Sequence, residues 1–139
     1  MRNNIIRTAI LALAAGLLAV SCSKEEEQAA PVVTLTEVGL ENTHRVAAGG
    51  DLHLEADIVA AGGIKSITVS LRPESGGGNG VEVAYTAGPY IGVRNTEFHE
   101  HIEIPADTPE GNHSLRFTVE DNNGRRTTAT ARVEIGGQA

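Results

Sequence analysis

The segment Leu52-His53-Leu54-Glu55-Ala56-Asp57-Ile58 alternates an aliphatic side chain with an ionisable one along its whole length. On an extended chain, period two sends Leu52, Leu54, Ala56 and Ile58 to one side and His53, Glu55 and Asp57 to the other. A helix would scatter both sets around its axis. The segment therefore reads as a strand with one face in a core and one in solvent.

The same alternation recurs on both sides of it. Val33 and Leu35 begin an earlier strand, and Ala47-Ala48-Gly49-Gly50-Asp51 turns the chain into the quoted segment. Ala61-Gly62-Gly63 leads into Ile67, Val69 and Leu71; the loop Glu74 to Gly80 leads into Val81 and Val83. Phe98, Ile102 and Ile104 mark another strand, ended by Pro105, which cannot donate to a ladder. Leu115, Phe117 and Val119 run into Asp121-Asn122-Asn123-Gly124, a hairpin turn signal, and Ala129, Ala131, Val133 and Ile135 form the last strand. About seven short strands and no helix predict an all-β chain with two packed antiparallel sheets, a single sandwich spanning residues 31–136.

The first 30 residues read differently. Met1-Arg2-Asn3-Asn4-Ile5-Ile6-Arg7 is a basic start, and Ala9 to Val20 is apolar but shorter than the ~20 residues of a membrane-spanning helix. With Ala19-Val20-Ser21-Cys22 at its end, it resembles a bacterial lipoprotein signal peptide over 1–21. That resemblance implies cleavage before Cys22, a diacylglycerol on its thiol and an acylated new N-terminus. Residues 22–30 would then be a lipid-anchored acidic tether. Lys24-Glu25-Glu26-Glu27 resembles the export signal of Bacteroidota-type lipoproteins, which implies an outer-membrane address facing the cell exterior; a periplasm-facing anchor is the alternative.

Loss of the leader removes Arg2 and Arg7 and no acid, so the formal charge of −7 becomes −9. Such a surface repels phosphate backbones, and no basic patch with stacking aromatics is present, so nucleic acid is not an expected partner. A single cysteine excludes an internal disulfide and a cysteine-built zinc site.

Gly49-Gly50-Asp51-Leu52, Gly63-Ile64-Lys65-Ser66-Ile67 and the run from Pro109-Glu110-Gly111 to Asp121-Asn122-Asn123-Gly124 resemble bacterial immunoglobulin-like domains. More narrowly, Phe98-His99-Glu100-His101-Ile102-Glu103-Ile104-Pro105-Ala106 resembles an uncharacterised lipoprotein family, the domain-of-unknown-function family 4625. The resemblance implies an immunoglobulin-like sandwich on a lipid anchor and no established activity.

Chemistry concentrates on two strands. His53, Glu55 and Asp57 point outward on one, and His99, His101 and Glu103 on the other. In an immunoglobulin-like arrangement these strands are antiparallel neighbours. His-x-His sets two imidazoles about 6.6 Å apart on one side of a strand, and a third ligand from the adjacent strand would complete a zinc or copper site. Register decides. With Glu55 opposite His101, every rung is an acid–imidazole pair and no metal is required. With His53 opposite His101 and Glu55 opposite His99, three imidazoles and a carboxylate cluster. A contact surface responsive to pH is a third option.

Glu100 shares the parity of Phe98 and Ile102, so it demands either water at the sandwich end or a bulge. His113 reads as a hydrogen-bonded rim residue and His44 as a loop residue. Gly76-Gly77-Gly78-Asn79-Gly80 lacks the helix and Lys-Ser/Thr of a phosphate loop, and Arg125 and Arg126 spoil a calcium reading of the Asp121 turn. No catalytic nucleophile with its base can be argued. The expectation is a non-enzymatic, lipid-anchored interaction module with a protein or glycan partner; the alternative is a zinc- or copper-binding lipoprotein using His53, His99, His101 and Glu55.

Overall fold

The computed structural model describes residues 29–136. They form eight strands: β1 (Val32–Val38), β2 (Arg45–Val46), β3 (Asp51–Val59), β4 (Ile64–Pro73), β5 (Val81–Tyr85), β6 (Asn95–Glu103), β7 (Gly111–Asp121) and β8 (Arg126–Ile135). One sheet has the order β1-β3-β6 and the other β2-β8-β7-β4-β5. Their inner faces meet in one core, so the described residues form an all-β sandwich. The seven strands read from the sequence are all present. The eighth, β2, is a two-residue strand parallel to β8 that the alternation is too short to reveal.

β3 behaves as its pattern dictates. Leu52, Leu54, Ala56 and Ile58 are almost fully buried, each large aliphatic contributing about 1.5–3 kcal/mol by leaving water. Across from them, Phe98 and Ile102 on β6 face Ile67, Val69, Leu71, Leu115, Phe117 and Val119 of the larger sheet. The Phe98 ring meets Phe117 edge-on, with centroids 4.9 Å apart, and also touches Tyr85 and Tyr90 at 5.2 and 5.0 Å.

The β3–β6 register sets Ala56 opposite Phe98, Leu54 opposite Glu100 and Leu52 opposite Ile102. A slip of two would keep every apolar residue on the inner face but bring Phe98 against Ile58. The observed pairing matches the largest inner side chain with the smallest, which is how interdigitated cores avoid strain. The ends are pinned as well: Gly49 N–H donates to Ile104 O (2.9 Å), Ile104 N–H to Gly50 O (2.8 Å), and Ala60 N–H to Arg94 O (2.6 Å).

Glu100 does face inward, and the ladder around it has no bulge. The charge is met instead by Tyr90, whose hydroxyl donates to Glu100 Oε1 at 2.8 Å. His113 is a correction to the rim reading. It is fully buried at the parity of Leu115 and Phe117, with Nδ1 3.0 Å from Gly111 O. Asp121, also fully buried, ends the same face: its Oδ1 accepts N–H bonds from Asn123 and Arg125, both 2.9 Å, and so builds the turn. Gly63, at φ +79°, lies against that turn, where a Cβ would come within 2.8 Å of Asn122 Nδ2.

Phe98→Ala removes the ring on which both sheets close. It is expected to cost about 3–5 kcal/mol in urea unfolding; a loss below about 1 kcal/mol would contradict this packing.

Candidate metal centre

The outer face of β1-β3-β6 is built by the same register. Opposite Ala56–Phe98 inside, it places His53 opposite His101, Glu55 opposite His99, Asp51 opposite Glu103 and Asp57 opposite Glu97. Of the two registers open to the sequence, this is the one that clusters histidines. The pairing of Glu55 with His101, and of His53 with Glu103, is not found.

His53 stands at the centre, its side chain only 12% exposed, while His99 and His101 are 54% exposed on either side. Its ring meets theirs edge-on at centroid distances of 4.7 and 4.9 Å. One ring nitrogen from each of the three lies within 4.8 Å of the other two. His53 Nδ1 and His101 Nε2 face each other at 3.4 Å. Two nitrogens bound to one tetrahedral zinc at about 2.0–2.1 Å would stand about 3.3 Å apart.

Acidic side chains set the orientation of each ring. Asp51 Oδ2 is 2.9 Å from His101 Nδ1, so that nitrogen donates and Nε2 turns its lone pair toward His53. Glu37 Oε2 and Glu55 Oε2 stand 3.4 and 3.6 Å from His53 Nε2, which favours a proton there and a lone pair on Nδ1. Glu55 Oε1 lies 3.2 Å from His99 Nδ1. The two facing nitrogens are thereby both turned into acceptors. Lone pair against lone pair is unfavourable, and either a shared proton or a metal ion between them resolves it. A carboxylate behind each imidazole is also the outer-shell arrangement common to histidine metal sites.

Glu37 is the residue the sequence reading missed. It has the parity of Val33 and Leu35, which assigns it to the core. A bulge between Leu35 and Glu37 resets the alternation, turning Glu37 outward opposite Glu55 and Val38 inward. The following turn then holds its carboxylate: Glu41 N–H donates to Glu37 Oε1 at 2.7 Å, and Asn42 Oδ1 accepts from Val38 N–H at 2.9 Å. Glu41 and Asn42 adopt left-handed φ of 56° and 57°, a cost of about 1 kcal/mol or more each that the turn carries to make these bonds. The Glu37 carboxyl is held below its ordinary range, first by a hydrogen bond with Glu55, against the opposing cost of desolvation, and further by Glu41 N–H and by His53.

An open depression of about 260 Å³ adjoins the cluster, lined by Thr36, Glu55, Asp57, Glu97 and His99, so the His99 side is reachable by solutes. Behind the cluster, the Tyr90 hydroxyl accepts from His99 N–H (3.2 Å) besides donating to Glu100, tying the His-x-His backbone to the aromatic core. His44 lies away from the site, with Nδ1 3.0 Å from Arg132 O. Cys22, Lys24, Glu25 and Glu26, expected to carry the lipid and the export signal, lie outside the described residues.

A family model described as "Domain of unknown function (DUF4625)" matches residues 20–136. The chain belongs to that family. No curated protein matches it. Among solved structures, the sporulation control protein Spo0M of Bacillus subtilis is similar in fold, with a TM-score of 0.51 and 13% identity over 79% of this chain and 51% of that one. The DUF4625 chain thus spans about half the length of Spo0M, and the likeness concerns architecture alone.

The aromatic support behind the cluster gives a test at alkaline pH. Burial, then the Glu100 charge, pushes the Tyr85 hydroxyl up to about 12, and burial raises Tyr90 too. The folded state therefore keeps the Tyr85 proton over a range in which the unfolded chain, near 10.0, has lost it. Stability from this group is complete below about pH 10 and declines as pH rises through about 12. Tyr85→Phe is expected to flatten that decline in urea midpoints measured from pH 9 to 12; an unchanged slope would contradict it.

Proposed function

We propose that this DUF4625 protein is a lipid-anchored envelope lipoprotein whose sandwich holds a divalent transition-metal ion on the outer face of its three-stranded sheet. The carrying observation is the 3.4 Å approach of His53 Nδ1 and His101 Nε2, with His99 beside them. In this reading His53, His99 and His101 are the ligands, Asp51 and Glu55 orient the imidazoles, and the remaining position is open to solvent or to a further oxygen ligand. The role is metal holding at the cell envelope, without catalysis.

Ligand chemistry narrows the ion. Beyond Met1 and Cys22 the sequence has no methionine or cysteine, so the site offers nitrogen and oxygen and no soft sulfur. Imidazole with carboxylate suits zinc(II) and copper(II), copper(II) being the tighter by the usual affinity order. The immunoglobulin-like assignment is supported by strand order, with the first, third and sixth strands in one sheet and the last two beside the fourth in the other. The outer-membrane address rests on Cys22 and the Lys24-Glu25-Glu26 segment. A surface interaction module with a protein or glycan partner is the reading left if no metal binds.

Protein purified without a histidine tag is expected to gain thermal stability on adding zinc or copper(II), by about 2.7 kcal/mol at a free-ion concentration of 100 Kd. His101→Ala should reduce the gain, and Asp51→Asn should weaken affinity by about 10–100-fold while leaving the ligands in place. A wild-type melting temperature indifferent to both ions would overturn the metal reading.

A further inference from the structure

His53 presents its two ring nitrogens to two different groups. Nδ1 faces His101 and His99, whereas Nε2 faces Glu37 Oε2 at 3.4 Å and Glu55 Oε2 at 3.6 Å. Each group is compact enough for one ion: His53, His99 and His101 on one side, and Glu37, His53 and Glu55 on the other, with candidate ligand atoms within 4.8 Å in both. Oxygen and nitrogen ligands at about 2.0–2.2 Å from a shared ion stand roughly 3–3.5 Å apart, the spacing seen on the carboxylate side.

Among the described residues, that side also lacks a lysine or arginine partner. Glu37 and Glu55 are directly opposed on β1 and β3, which is destabilising for like charges. None of β1, β3 and β6 contains a lysine or arginine. The side chains of these strands therefore offer the two carboxylates no counter-ion other than His53. Glu37 is aimed there by the Thr36 bulge and the Glu41 N–H, independently of any histidine.

We infer that the centre is dinuclear, with His53 bridging an ion held by His99 and His101 and a second divalent ion held by Glu37 and Glu55. This rests on the metal reading above. Occupation of both nitrogens requires His53 to give its ring proton to water, so the bridge is an imidazolate and entry of the second ion releases that proton. The imidazolate together with Asp51, Glu37 and Glu55 supplies four negative charges, which balance two divalent ions. The bond lengths place the ions about 6 Å apart.

Equilibrium dialysis of the tag-free chain against zinc, with metal counted per chain, tests this directly. The wild type is expected to hold two ions, Glu37→Gln one, and His101→Ala to lose the ion on the histidine side. Copper(II) offers an independent readout, because two cupric ions joined by an imidazolate couple magnetically. The electron paramagnetic resonance signal should grow through the first equivalent and fall with the second in the wild type, and only grow in Glu37→Gln. One ion in both wild type and Glu37→Gln, with a copper signal that never falls, overturns the dinuclear inference and leaves the metal reading intact. No ion in either overturns both.

Discussion

Everything on the outer face depends on the rung that sets His53 against His101, and that rung is fixed from inside the sandwich. Phe98 needs a small neighbour on β3 and finds Ala56. Because side chains alternate, the inner match determines the outer one: fixing Ala56 against Phe98 also fixes Glu55 against His99 and His53 against His101. Packing on one side of the sheet thus places the titratable groups on the other. The geometry of the histidine cluster is a by-product of core complementarity, which gives it the rigidity of the core rather than that of a loop.

Charge distribution points the same way. Lysines and arginines are absent from β1, β3 and β6, while arginines such as Arg45, Arg126 and Arg132 pair with Glu134, Glu120 and Glu74 around the larger sheet. The ionisable side chains of the small sheet's strands are acids and imidazoles alone. Such a face lowers its own energy by gathering cations, whether protons or metal ions, and the carboxylate behind each histidine turns a general attraction into directed lone pairs.

The alternation in β3 was enough to read strands, inner and outer faces, and most of the core, because a shift of one residue would expose every apolar side chain. Register was not legible. A slip of two keeps both faces intact, so hydrophobic pattern is blind to it, and only the volumes of Ala56 and Phe98 distinguish the alternatives. Glu37 was hidden for a different reason. Val33 and Leu35 establish a parity that the bulge before Glu37 breaks, and nothing in Thr34-Leu35-Thr36-Glu37-Val38 announces the extra residue except that Val38 is the better core side chain. The partner of Glu100 was also out of reach, since Tyr90 arrives from a loop with no period to follow. His113 and Asp121, by contrast, carried their signal openly: both share the parity of Leu115, Phe117 and Val119, and both are buried.

One β3–β6 register brings His53 Nδ1 and His101 Nε2 to 3.4 Å, the spacing of two nitrogens on one proposed ion. Crystals of the protein grown with zinc, measured at the zinc absorption edge, locate the ion without assumptions about the chain. The expected result is an anomalous peak within bonding distance, about 2 Å, of both nitrogens, with His99 adjacent and Ala56 still opposite Phe98. A peak elsewhere on the molecule, or a β3–β6 pairing shifted by two residues, would contradict it.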